Sequence, residues 1–185
     1  MDNWFKYVML SLKNGLFVLV IFSGSYLNAQ DLFNTQNASV LITTISSDSI
    51  FKLSSKEVVI FLNNNKGILN ITIDKSTLTT SNKQVNEELA LMNSDEITLL
   101  GKINLEKIDN NDHSPIDFLL EGVIAGNNIY FSGRGRLEHI SSEGYINCLL
   151  TLNFNLNKEE LGLNLESIKL KDQVQIDVVQ VLLNN

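Results

Sequence analysis

Hydrophobic residues recur at every second position through residues 116–156, which is the period of β-strands with one buried face. The alternation predicts three strands, over residues 116–124, 129–138 and 146–156. Between the first two, Gly126 and Asn127 fit a two-residue hairpin, because glycine accepts a positive φ without steric cost. A looser turn is predicted at residues 141–144. This stretch therefore predicts an antiparallel meander, and by itself it indicates no chemistry.

The same alternation predicts five further strands on either side of the meander. They cover residues 37–46, 57–63, 66–73, 95–105 and 173–183. The pattern lapses after residue 73, and residues 86–92 are typical of two helical turns that would cover an open end of a sheet. Residues 157–162 suggest one more helical turn, which stops at a glycine.

Eight antiparallel strands with short connections leave two architectures open, a sandwich of two sheets and a closed barrel. Glycines favour the barrel, because a glycine within a strand marks the tight bends that close barrels. Those on the predicted inward face are Gly101, Gly122, Gly133 and Gly135. Since they also remove side-chain volume, we expect an interior with room for one small ligand. A core filled by side chains is the alternative.

Residues 1–29 are predicted to be a secretory signal, because two lysines precede an apolar run over residues 16–22 and small residues end near Ala29. The run is shorter than the ~20 residues of a membrane-spanning helix, so we expect no stable membrane insertion. Residues 30–185 then form one domain, located in the periplasm or secreted.

The net charge and the potentially reactive side chains exclude several classes of function. The net charge of −7 argues against binding nucleic acid, so a neutral or apolar partner is expected. The single cysteine, Cys148, is expected to be a small buried residue. His139 follows Glu138, but neighbours in a strand point to opposite faces and cannot act as an acid–base pair. We therefore predict that the protein is not an enzyme and needs no cofactor.

The polar loop over residues 107–115 raises a metal hypothesis, because it contains Asp109, Asp112 and His113. No histidine or cysteine pair stands at zinc spacing, and loops rich in Asp and Asn commonly satisfy their own backbone. A structural loop without metal is the favoured interpretation.

Four segments resemble the YceI-like family. They are residues 96–103, 132–140, 152–154 and 174–183. The most specific is Gly135-Arg136-Leu137-Glu138-His139, which is similar to that family's Gly-x-Leu-Thr-x-His segment. The resemblance implies an all-β, antiparallel eight-stranded lipocalin-like barrel with one or two short helical segments. It also implies binding of an isoprenoid or another long apolar ligand.

Inward-facing apolar side chains are the candidates for the wall of such a cavity. They are Ile97, Leu99, Phe118, Leu120, Phe131, Leu150, Leu152 and Phe154. The alternative function is an envelope structural or interaction protein with a filled core and no small-molecule ligand. The sequence predicts no particular oligomeric state.

Overall fold

Eight antiparallel strands close into a barrel in which each strand pairs with the strands next to it in the chain. The strands are β1 (Leu32–Ser46), β2 (Ser49–Asn63), β3 (Ile68–Asp74), β4 (Glu96–Ile103), β5 (Ile116–Ile124), β6 (Ile129–Ser142), β7 (Tyr145–Asn157) and β8 (Gln173–Asn184). β1 pairs with both β2 and β8, which closes the barrel and excludes the sandwich. The predicted fold class is confirmed.

The computed structural model describes residues 32–46, 49–92, 95–105, 113–126, 129–142 and 145–184. The predicted secretory signal therefore lies outside the described residues. So do Asp109 and Asp112 of the polar loop, Asn127 of the predicted hairpin turn, and part of the turn predicted at residues 141–144. Within the described ranges, no helix has the length and apolar character needed to cross a membrane.

Two strands begin earlier than their hydrophobic pattern predicts. β1 begins at Leu32 rather than at residue 37, and its register with β2 shifts twice between Thr35 and Val40. A β-bulge breaks the two-residue period, so the sequence hides the first part of the strand. β2 begins at Ser49 rather than at residue 57, because the polar stretch before residue 57 pairs with β1.

The helical segments lie between β3 and β4. A 3-10 helix (Lys75–Thr77) follows β3 directly, and α1 (Lys83–Ala90) comes next. α1 begins earlier than predicted because Asn82 caps it, and the Asn82 side chain accepts the N–H groups of Gln84 and Val85. The helical turn predicted after β7 is a series of hydrogen-bonded turns, and Gly162 there has a φ of 60°.

The two ends of the barrel differ in what covers them. We call one the capped end, where the 3-10 helix, α1 and residues 158–172 connect the strands. The opposite end carries Asn64, His113 and His139, and we call it the histidine end. Among the described residues, the buried polar side chains lie toward these two ends, and the middle of the barrel is apolar.

Candidate functional site

All eight predicted wall residues point into the barrel. Each is between 0 and 7% exposed, and all belong to one hydrophobic core. β4 contributes Ile97 and Leu99, while the other six come from β5, β6 and β7. The structure thus places the candidates together on the inner surface, as the two-residue period requires.

The glycines of these strands do point inward, but the prediction that they leave empty space is wrong. A Cβ atom on Gly135 would overlap the ring of Phe118 and lie 2.7 Å from Leu152 Cδ2. One on Gly133 would lie 2.8 Å from Phe154 Cβ. Phe118 and Leu152 flank Gly135 in the strand register, so neighbouring side chains occupy the volume that the glycine leaves. A substitution such as Gly135→Leu would disturb packing rather than fill a cavity.

Aromatic rings dominate the packing on the β5 to β7 side of the interior. The ring centroids of Phe131 and Phe154 lie 5.2 Å apart at an interplanar angle of 38°. A Cβ atom on Gly122 would lie 2.8 Å from the Phe131 ring, so that glycine lets the ring lie against β5. An apolar chain can enter this part of the interior only if side chains move to make room.

The capped end is closed by apolar side chains from two connections. α1 buries Val85 and Leu89, and residues 158–172 bury Leu161, Leu163 and Leu170. These side chains join the barrel core or lie against its edge, where Leu170 forms a bridge with Ser46. The cap is therefore an extension of the core over the end of the barrel.

A carboxylate links the two halves of this cap. The oxygens of Glu88 in α1 accept the main-chain N–H groups of Glu166 and Ser167 at 2.7 and 2.9 Å. The side chain of Ser167, followed by these N–H groups, lowers the pKa of Glu88 below its ordinary value. Because both interactions favour the ionised carboxylate, the link is strongest when Glu88 is charged.

A buried lysine makes a second link. Lys75 Nζ donates to Asp95 Oδ2 at 2.6 Å and to the carbonyl oxygen of Gly162 at 3.3 Å. Only 6% of the Lys75 side chain is exposed, whereas that of Asp95 is 56% exposed. A buried ammonium group needs such partners, so Lys75 ties the start of β4 to residues 158–172.

The histidine end brings together the only two histidines of the chain. His113 Nε2 lies 2.7 Å from His139 Nδ1, and His139 Nε2 lies 3.0 Å from Asn64 Nδ2. His113 Nδ1 lies 2.7 Å from the carbonyl oxygen of Ser114, which can only accept, so Nδ1 carries the proton. His113 Nε2 then accepts from His139 Nδ1, and His139 Nε2 accepts from Asn64. Both rings are thus neutral Nδ1–H tautomers.

This pairing was missed in the sequence. The β5–β6 register pairs Ile116 with Leu137, and continuing it backward would place His113 opposite Ile140, so the regular register does not predict the contact. The main chain nevertheless brings the two histidines together, since His113 N–H donates to the His139 carbonyl oxygen. His139 is fully buried and packs against Phe33, with ring centroids 5.0 Å apart. In the described ranges no group of three or more His, Cys, Asp or Glu side chains is arranged to hold a metal ion.

Two further strand residues, Cys148 and Arg136, lie on the faces that the two-residue period requires. Cys148 is buried, and burial raises the pKa of its thiol well above the ordinary value, which leaves it inert. Arg136 lies on the outer face, where its Nε donates to Asp117 Oδ1 at 2.7 Å. The pair lowers the pKa of Asp117, but both groups are largely exposed and contribute little to stability.

The architecture defines a class, the closed antiparallel eight-stranded barrels of lipocalin type. A polyisoprenoid-binding domain from Saccharophagus degradans, implicated in plant cell wall breakdown, is similar with a TM-score of 0.56 and 11% identity, over 83% of this chain and 95% of that one. BcnA from Burkholderia cenocepacia is similar with a TM-score of 0.52 and 12% identity, over 80% and 96%. These likenesses show a shared fold. Neither a protein-family model nor a curated protein sequence matches the chain.

Proposed function

We propose that this protein belongs to the YceI-like family and holds an isoprenoid-like or other long apolar ligand inside its barrel without catalysing a reaction. The observation that carries the proposal is the apolar middle of a closed barrel, in which the buried polar side chains of the described residues lie toward the two ends. Enclosing an apolar chain there is worth about 25 cal/mol per Å² of buried surface. The likeness to a polyisoprenoid-binding domain supports the same ligand class.

The ligand enters at the capped end in this proposal. The interior is packed, so entry requires the cap to lift and aromatic side chains to change rotamer. A few polar contacts hold the cap in place, among them those of Glu88 and Lys75. The burial of its apolar side chains also stabilises it. An apolar ligand replaces that burial when it enters, so opening exposes little apolar surface to water.

Mass spectrometry of organic extracts from natively purified protein tests the proposal directly. An apolar compound should copurify, and the protein should take up a fluorescent polyene added from solution. If neither a copurified lipid nor polyene uptake is found, the proposal is wrong.

A matched pair of variants tests whether the ligand lies inside. Phe131→Ala opens space among the wall residues and should strengthen polyene binding about threefold or more. Phe131→Leu is the milder version, with less cost to stability. Leu119→Ala removes a half-exposed leucine from the outer face of β5 and should leave polyene binding unchanged. Equal effects of the inner and outer substitutions would place the ligand elsewhere.

The proposed location is the periplasm or the extracellular medium, supported by the signal pattern over residues 1–29. Cell fractionation with sequencing of the mature amino terminus tests it. A cytoplasmic protein that keeps residues 1–29 would contradict this part of the proposal.

One observation favours a second candidate, an envelope structural or interaction protein with a filled core. It is the packing around Gly133 and Gly135, where neighbouring side chains occupy the space that these glycines leave. This candidate predicts that organic extracts are empty and that Phe131→Ala only lowers stability. The polyene experiment separates the two candidates, because a filled core excludes the probe.

A further inference from the structure

The outer face of the barrel carries a groove that the apolar ligand does not explain. It runs over β5, β6 and β7 to the start of the connection that follows β7, and it has a volume of about 750 Å³. The inward-pointing residues Leu120, Phe131 and Phe154 border it. Side chains that line it from the outer face of the strands and from the start of β8 include Glu121, Tyr130, Ser132, Arg134, Asn155 and Gln173. Because this face points away from the core, its residues are free to serve a different ligand.

An aromatic ring stands in this groove without a packing partner. Tyr130 is 84% exposed, and it makes no ring contact within the described part of the chain. Exposing a tyrosine ring to water forgoes the stabilisation that its burial would give. Its flat apolar face and its hydroxyl group can together meet a ligand that has both an apolar face and polar edges.

Several polar side chains around Tyr130 have no hydrogen-bond or ion-pair partner among the described residues. Among the described residues, the side chains of Glu121, Ser132, Arg134 and Asn155 form no hydrogen bond or ion pair with one another or with other groups. The neighbouring Arg136, on the same face, is by contrast paired with Asp117. Guanidinium, carboxylate, amide and hydroxyl groups therefore offer both donors and acceptors to a ligand in the groove.

The charged side chains of the groove and the length of its wall indicate which class of ligand it can bind. One arginine faces one unpaired glutamate, and the other acidic side chain of the groove, Glu160, already accepts from the Asn157 side chain at 2.9 Å. Charges of both signs favour a neutral ligand, and the polar lining disfavours a fatty one. From Asn153 to Asn157 the β7 wall extends over about 13 Å, at roughly 3.3 Å per residue. That length suits a short linear polymer.

We propose that this groove binds a short neutral oligosaccharide. The apolar C–H face of a sugar ring stacks on Tyr130, and its hydroxyl groups bond to Arg134, Glu121 and Asn155. Sugars carry donors and acceptors at nearly every ring carbon, so they match a site that supplies both. The side chains that bind the sugar lie on the outer face, whereas the wall residues for the apolar ligand point inward.

A glycan array that carries neutral and anionic oligosaccharides, followed by calorimetry with the best neutral binder, tests this site. Tyr130→Ala and Arg134→Ala should each weaken binding about tenfold, whereas Tyr130→Phe, which keeps the ring, should stay within about threefold. Ile50→Ala is the control, because Ile50 is 71% exposed but lies outside the groove. Polyene uptake should be unchanged in all four variants.

Three results would overturn the proposal. One is the absence of binding to every neutral glycan of the array, and another is a bound glycan whose affinity is the same in wild type, Tyr130→Ala and Arg134→Ala. The third is binding of a peptide library, but of no glycan, that depends on Tyr130, which would make the groove a protein interface. Tyr130 and Arg134 are exposed, so their replacement leaves the fold intact and the results interpretable.

Discussion

The two ends of the barrel are closed by different chemistry. At the histidine end, neutral side chains bond to each other over short distances, and the central ring, His139, is fully buried. At the capped end, charged groups hold two connections together, and the carboxylates of Glu88 and Asp95 remain partly or largely exposed. The neutral network is shielded from water, whereas the carboxylates of the charged links are open to salt and to protons, although the Lys75 side chain is itself buried.

This difference assigns separate roles to the two ends. Buried neutral hydrogen bonds fix one arrangement, because breaking one leaves a polar group without water. At the capped end the link of Glu88 costs little to break, since water solvates the freed groups, whereas the link of Lys75 costs more because its ammonium group is buried. The histidine end is therefore a fixed end of the barrel, and the part of the capped end that Glu88 holds is the one suited to open.

Removing the buried ring of the histidine end should have the largest effect. His139→Ala deletes the packing against Phe33 and both ring hydrogen bonds, so we expect a loss of about 3 kcal/mol or more in the free energy of unfolding. Chemical denaturation measures it. His113→Ala, which removes a partly exposed ring, is the comparison and should cost less. If the two substitutions cost the same, His139 is not the centre of this end.

A pair of glycines measures the lysine link of the capped end. Gly162→Ala places a residue with a side chain at a φ of 60° and a Cβ atom 2.8 Å from Lys75 Nζ, so we expect a loss of about 2 kcal/mol. Gly126→Ala also forces a positive φ, 88°, but its Cβ atom would meet no atom within 4 Å. The difference in their free energies of unfolding reports the displacement of Lys75. Equal values would show that Lys75 moves aside without cost.

The barrel itself could be predicted from the sequence, because the two-residue period gives each strand and its inward face. The packing of side chains inside the barrel could not be predicted in this way. The period shows that Gly135 points inward, but only the register with β5 and β7 shows that Phe118 and Leu152 occupy its space. The local pattern shows which face of a strand a side chain lies on, whereas packing depends on residues that are distant in the chain.

The ends were harder to predict than the walls. His113 and His139 lie in a polar loop and in a strand, and the regular β5–β6 register would place His113 opposite Ile140 instead of His139. The contacts of Glu88 with residues 166 and 167 have no sequence signal at all, since 78 and 79 positions separate the donors from the acceptor. Long irregular connections carry no period from which such a contact could be inferred.

Removing the carboxylate of the cap should change stability little and ligand entry more. Glu88→Ala deletes the acceptor for two main-chain N–H groups that water can then reach, so we expect Tm to fall by only about 2 °C. Polyene uptake, followed by stopped-flow fluorescence, should become about threefold faster or more, because the cap lifts more often. Glu87→Ala, which affects only an exposed pair with Lys83, is the matched control and should leave uptake unchanged. If both variants take up polyene at the wild-type rate, entry does not use the capped end.

Acid should reproduce the Glu88 effect in the wild-type protein. The pKa of Glu88 is lowered from 4.5 in the fold, mainly by the Ser167 side chain and then by the main-chain N–H groups of Glu166 and Ser167. A carboxylate with a lowered pKa stabilises the folded state above its unfolded pKa, and this contribution is lost as the pH falls through the folded value. The link should thus be intact at neutral pH and weaken only as the pH falls below 4.5 toward the lowered folded value.

The measurement is the difference in polyene uptake between wild type and Glu88→Ala across this pH range. Wild-type uptake should accelerate toward that of the variant as the pH falls, and the two rates should meet once Glu88 is protonated. Other carboxylates, such as Asp117 on the outer face, titrate in both proteins and cancel in the difference. A difference that stays constant from neutral pH into the acid range would mean that Glu88 acts through its shape rather than its charge. The capped end would then be held by packing, as the interior is. The two ends would differ only in how deeply their polar groups are buried, and no longer in the charge of those groups.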